Sequence, residues 1–149
     1  MKAISEINMF QVRQEHRIMA DRETVFQILT QRIGEWWRHP YRLHEGDARI
    51  ELDPRPGGTL AERWEPDGFA VWGTVLTYES GTTLELIGPC GMAGAISGRF
   101  GFTLEDGEGQ TILRVEHDAL GIFDDDQQGN YEYGWSDMLG QLKALAEQE

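Results

Sequence analysis

His117 is the residue of this chain best suited to proton chemistry. Leu113, Val115 and His117 share one parity of a strand pattern and Arg114, Glu116 and Asp118 share the other, so the imidazole is expected on the inward face. An inward histidine can donate to a ligand carbonyl or exchange a proton near neutral pH. The same pattern equally describes a core histidine bonded to a neighbour. No carboxylate clearly shares its face and no partner for its ring is evident, so no catalytic residue is assigned.

The sharper chemical signatures are incomplete. His39 and His44, beside Glu45, resemble metal ligands in type, but a proline intervenes and no helix sets their geometry, so neither a metal nor a cofactor is assigned. Gly134-Trp135-Ser136-Asp137-Met138 starts like a nucleophile elbow, yet lacks the second glycine and falls within a helical pattern, which puts Ser136 on the surface. Gly107-Glu108-Gly109 has no third glycine and carries acids that repel phosphate. Asp124 to Asp126 lacks the calcium-loop spacing and reads as the approach to a helix N-terminus.

What remains is a set of large apolar side chains at defined places: Trp36 and Trp37 after a short helix, Trp72, Phe100 and Phe102 on strands, and Trp135 and Met138 in a closing helix. Together with His117 these are the candidate ligand-binding residues. Two adjacent tryptophans on a short helix are not expected to face the same core: either one lines the cavity mouth, or one caps the core and the other is an exposed surface anchor. Trp72, Thr74, Leu76 and Tyr78 share one parity, as do Ile96, Gly98, Phe100, Phe102 and Leu104. Such stripes form a core, and they line a pocket where a helix stands away from the sheet.

The elements that must position these residues follow from periodicity. A strand is expected over about 7–18 and helices over about 22–31 and around Glu35 to Trp37, with Asp21 as N-cap and Pro40 beyond. Six further strands follow, over about 48–52, 59–65, 70–78, 82–88, 95–105 and 111–120. The glycine- and proline-rich turns between them are hairpin vocabulary and predict an antiparallel meander. A helix over about 125–147 carries Tyr131, Trp135, Met138, Leu139, Leu142 and Leu145 on one stripe, with Gly134 at its edge. There Gly134 serves either close packing on the sheet or a gap for a ligand.

With 26 acidic and 13 basic residues the net charge is -13, so the positive footprint that nucleic acid or an anionic membrane requires is lacking. The single cysteine, Cys90, allows no intrachain disulfide and suits a reducing compartment. No apolar run reaches the length of a membrane span, and Met1 to Glu6 does not read as a leader. The expectation is a cytoplasmic protein of one domain over 1–149.

The order of strand, two short helices, six strands and long helix is an α+β helix-grip layout. Asp21 to Leu29, Trp36-Trp37, Asp53 through Gly58, Gly73-Thr74-Val75, His117, and Gly134-Trp135 with Leu139 and Leu142 appear in an order and spacing that resemble the START-like (SRPBCC) superfamily. The resemblance runs from about 12 to 145 and is to the branch of activator of heat-shock protein 90 ATPase homologue-like proteins. It implies a curved antiparallel sheet of about seven strands wrapped on the C-terminal helix, around a central cavity. It also implies three functions: binding of a small hydrophobic or aromatic molecule, association with a chaperone partner, or cyclase and dehydratase chemistry. The co-chaperone relatives carry a further N-terminal domain, which is not expected here. The residues favour the first reading, since fold alone does not choose among them.

Overall fold

The computed structural model describes residues 6–149, so the reading of Met1 to Ser5 lies outside the described residues. Strand β1 (Ile7–Ile18) leads to helices α1 (Arg22–Thr30) and α2 (Ile33–Trp36). Strands β2 (Arg49–Leu52), β3 (Thr59–Trp64), β4 (Gly68–Glu79), β5 (Thr83–Ile87), β6 (Ile96–Gly107) and β7 (Gln110–Ile122) follow, and helix α3 (Gln127–Glu147) closes the chain. The strands form one seven-stranded antiparallel sheet in the order β1-β7-β6-β5-β4-β3-β2. This open curved sheet, with short helices after β1 and a long helix across it, is the helix-grip fold. Among the described residues no helix is long and apolar enough to cross a membrane.

Local chemistry accounts for the elements. Asp21 caps α1 by accepting the Thr24 amide at 2.7 Å, and Val25, Phe26, Ile28 and Leu29 turn its apolar face into the core. Helix α3 begins just after Asp124 to Asp126 and buries Trp135, Met138, Leu139, Leu142 and Ala146. On β6 and β7 the alternation is regular: Phe100, Phe102, Leu104, Leu113, Val115 and His117 are inward and buried.

Strand β4 departs from simple alternation. Leu60 pairs with Gly73 and Ala61 with Val71, which leaves Trp72 as an extra residue; Val75 pairs with Leu86 and Thr77 with Glu85, which leaves Leu76 extra. Each bulge shifts the inward parity by one residue. The expected common face of Trp72, Thr74, Leu76 and Tyr78 is therefore broken: Trp72 and Val75 are buried, whereas Leu76 is half exposed. Gly73 permits the first kink, since a Cβ there would lie 3.0 Å from the Phe100 ring.

The bulge assignment makes a direct prediction. Val75→Ala should lower unfolding free energy by about 2 kcal/mol and Leu76→Ala by less than about 0.5 kcal/mol in urea denaturation. The reverse order would show that the strand keeps an unbroken alternation.

Candidate functional site

An opening of about 280 Å³ lies between α3, the middle of β4, the turn at Cys90 and the segment from Trp37 to Leu43. Its size is at the small end for ligand sites. Trp37, Trp72, Trp135 and Met138 line it, and Tyr41, Cys90, Tyr131 and Gly134 complete the wall. Trp36, Phe100 and Phe102 do not line it and pack behind these residues in the same buried cluster, and His117 does not line it and is buried against Trp135.

Both adjacent tryptophans are buried, at 1% exposure each, in one core, contrary to the expectation that they could not share it. Trp36 ends α2, while Trp37 takes a non-helical conformation as its C-cap, and the change of backbone direction lets the rings lie 5.6 Å apart on one core. Trp36 reaches Phe102. Trp37 meets Trp72 at 5.2 Å and Trp135 at 5.6 Å, both nearly perpendicular.

Every indole in this group has its N–H satisfied by protein. Trp36 donates to the Ile28 carbonyl at 3.1 Å, Trp37 to the Tyr41 carbonyl at 2.8 Å, Trp72 to Glu62 at 3.0 Å and Trp135 to His117 Nδ1 at 3.0 Å. The three indoles at the opening thus offer it hydrocarbon surface rather than donors. Arg42, at the rim, donates to the carbonyls of Trp37, Gly34 and Ala48 and is spent on shaping the segment.

Glu62 is the residue that sequence reasoning missed. It is fully buried, and its carboxylate accepts the Leu43 and His44 amides at 2.9 and 2.8 Å as well as the Trp72 indole. A carboxylate can be enclosed here because each oxygen is hydrogen-bonded. It pins the segment that closes the cavity to β3 and fixes the bulged tryptophan. Its parity with Leu60 was the available signal, obscured because Leu60, Ala61 and Glu62 are all buried at the bulge.

Gly134 resolves in favour of neither expected use alone. A Cβ there would meet the Tyr41 ring at 3.4 Å, and the Tyr41 hydroxyl donates to Asp137 at 2.7 Å. The glycine therefore seats a closing-segment side chain on α3 and also borders the opening. Burial, with the Asp137 hydrogen bond, pushes the Tyr41 phenol up to about 12. Burial also raises the Tyr131 phenol and the Cys90 thiol, so neither is an anion at neutral pH.

His117 has a partner after all, the Trp135 indole, which corrects the expectation of an isolated ring. Burial, only partly opposed by Asp118, lowers its pKa from 6.5 to about 4. It is neutral at pH 7 rather than poised to titrate there. His39 and His44 are engaged apart: His39 Nε2 lies 3.2 Å from the Gly46 carbonyl, and His44 stacks on Trp64 at 4.8 Å. Among the described residues no cluster of three or more potential metal-binding side chains forms. Ser136 is exposed on α3, as expected.

The depressed pKa of His117 couples to stability with a definite sign. Between pH 6.5 and about 4 the unfolded chain binds a proton that the folded chain does not, so stability present above pH 6.5 is lost as pH falls, by on the order of 3 kcal/mol. The His117 ring resonance should titrate near pH 4, and His117→Gln should flatten this part of the stability profile. A ring titrating near pH 6.5 in the folded protein would contradict the enclosed geometry.

The sequence matches, over residues 19–147, the family described as Activator of Hsp90 ATPase homolog 1-like protein. No curated protein matches the chain. Similar solved structures include a protein from Mesorhizobium loti, with 22% identity and a TM-score of 0.71 over 93% of this chain and 98% of that one. Another, from Rhizobium leguminosarum, has 16% identity and a TM-score of 0.76 over 99% and 100%. The solution structure of the Aha1 dimer from Colwellia psychrerythraea has 21% identity and a TM-score of 0.65 over 93% and 96%. At these identities the likeness is one of fold.

Proposed function

Because this chain belongs to the Activator of Hsp90 ATPase homolog 1-like family, we propose that it works as that fold's ligand-binding form, reversibly holding a small hydrophobic or aromatic molecule between sheet and α3. The observation that carries this reading is the opening walled by Trp37, Trp72, Tyr131, Trp135 and Met138, with the three indole N–H groups all turned to protein partners. Burial of apolar ligand surface against such a wall is worth about 25 cal/mol per Å². His117 supplies the nearby polar group, while Trp36, Phe100 and Phe102 hold the wall from behind. The same reading takes the chain as one START-like domain in a reducing, cytoplasmic compartment, where Cys90 persists as a thiol.

A chaperone-associated role is the second reading, favoured by the family and by an apolar outer surface. Ile7 faces Ile122 and Met9 faces Leu120 across the β1–β7 pair, and all four are exposed. Such a cluster is a candidate contact surface for a heat-shock protein 90-type chaperone.

The two readings separate on one variant each. Gly134→Leu fills the opening and removes a helical glycine worth about 1 kcal/mol. It should weaken displacement of a bound apolar fluorophore by small aromatic or acyl compounds about tenfold in a protein whose circular dichroism matches the parent, with some loss of thermal stability because the leucine takes the seat of Tyr41. Unchanged displacement would count against binding in this opening. Retention of a heat-shock protein 90-type chaperone with a stimulated ATPase rate, lost in Leu120→Asp, would instead establish the second reading.

A further inference from the structure

Trp135 determines which nitrogen of His117 carries the proton. An indole N–H only donates, and it lies 3.0 Å from Nδ1. Nδ1 is therefore the lone-pair nitrogen, and the neutral ring keeps its hydrogen on Nε2. That Nε2 is enclosed and has no hydrogen-bond partner among the described residues, on a side chain with no exposed surface. Its surroundings are aromatic: the Phe10 and Tyr131 rings stand nearly perpendicular to it at 4.9 and 4.8 Å, and Phe100 lies at 5.6 Å. The rings offer weak N–H···π contacts and nothing stronger. The Tyr131 hydroxyl is turned to the Cys90 carbonyl instead.

Folded proteins seldom leave a buried donor unpaired, and one so placed calls for an explanation. Tyr131 and Trp135 both pack on the imidazole, and both line the opening, so they form the partition between them. Trp135 is wedged among Trp37, Phe100 and Phe102. Tyr131 is only half-buried, and its polar tie is the bond to Cys90.

Building on the binding reading above, we propose that His117 Nε2–H is the polar determinant of this cavity. Its ligand is a compact aromatic or acyl compound carrying a carbonyl-type acceptor, and Tyr131 is the side chain that moves aside to admit that acceptor. A ligand presenting only a donor or an ammonium group would set N–H against N–H and is rejected.

A shape-matched pair tests this: 2-acetylnaphthalene, with the acceptor, and 2-isopropenylnaphthalene, with a methylene in its place. Nitrogen-15 spectra of the unmodified protein should show Nε2 protonated and Nδ1 unprotonated, and the Nε2–H proton should move downfield with the ketone but not with the alkene. The affinity ratio of ketone to alkene should be about tenfold higher in the parent than in His117→Phe, as expected for one hydrogen bond. Tyr131→Phe, freed from Cys90, should bind the ketone at least as tightly as the parent, and a weaker complex would overturn the role given to Tyr131. A proton on Nδ1, or equal binding of both compounds without a shift at Nε2, would overturn the proposal and leave the cavity reading intact. Failure of both compounds to bind would remove the cavity reading and this proposal together. The spectra make the test independent of whether His117→Phe folds.

Discussion

The bond from the Trp135 indole to His117 Nδ1, 3.0 Å long and fully enclosed, joins the long helix to β7 at a buried polar point. Each partner needs the other. Without an acceptor the indole N–H would be a buried orphan, and without a donor the Nδ1 lone pair would be one, at about 1–3 kcal/mol each. Around this bond the apolar packing is arranged: Trp135 touches Trp37, Phe100 and Phe102, while His117 touches Phe10, Phe100 and Tyr131. The pair, together with the bonds of Gln14 to the Glu132 carbonyl and of Lys143 to the Arg17 carbonyl, holds the rotation of α3 on the sheet and, with it, which helix residues meet the opening.

Two irregularities then shape the opening. A regular β4 would alternate cleanly, but its bulges bring Trp72 inward beside Gly73 and hand it to Glu62. Glu62 in turn draws in the amides of Leu43 and His44, so the segment after α2 lies over α3 around Gly134 and Asp137. Tyr41 completes this closure by resting against Gly134 and bonding Asp137. A buried carboxylate, a bulge and a glycine thus cooperate to hold one flap of backbone in place. Outside this region the core is regular hydrophobic packing.

Much of the fold was legible in the chain. Period-two runs on β6 and β7, the Asp21 cap and the α3 stripe follow from backbone geometry that each segment expresses alone, and neighbours along the chain carry enough pattern to reveal it. Of the residues singled out for a cavity, Trp72 by strand parity, Trp135 and Met138 by the α3 stripe, and Trp37 at the end of α2 line the opening. Phe100, Phe102, His117 and Trp36 have the same inward character and yet sit one layer deeper. Parity reports which side of a sheet a residue faces and carries no information about depth.

By itself, then, the sequence determined the element order, the inward faces of its regular elements and the family pattern, because each is written in residues close together in the chain. The tertiary structure decided the rest. The parity shift on β4 depends on its pairing with β3 and β5, the burial of both Trp36 and Trp37 on the turn out of α2, and the enclosure of Glu62 on donors about 18 and 10 residues away. The proton position on His117 depends on an indole 18 residues along the chain. These are contacts between distant segments, and a hydrogen bond or a bulge exists only once both partners have been brought together.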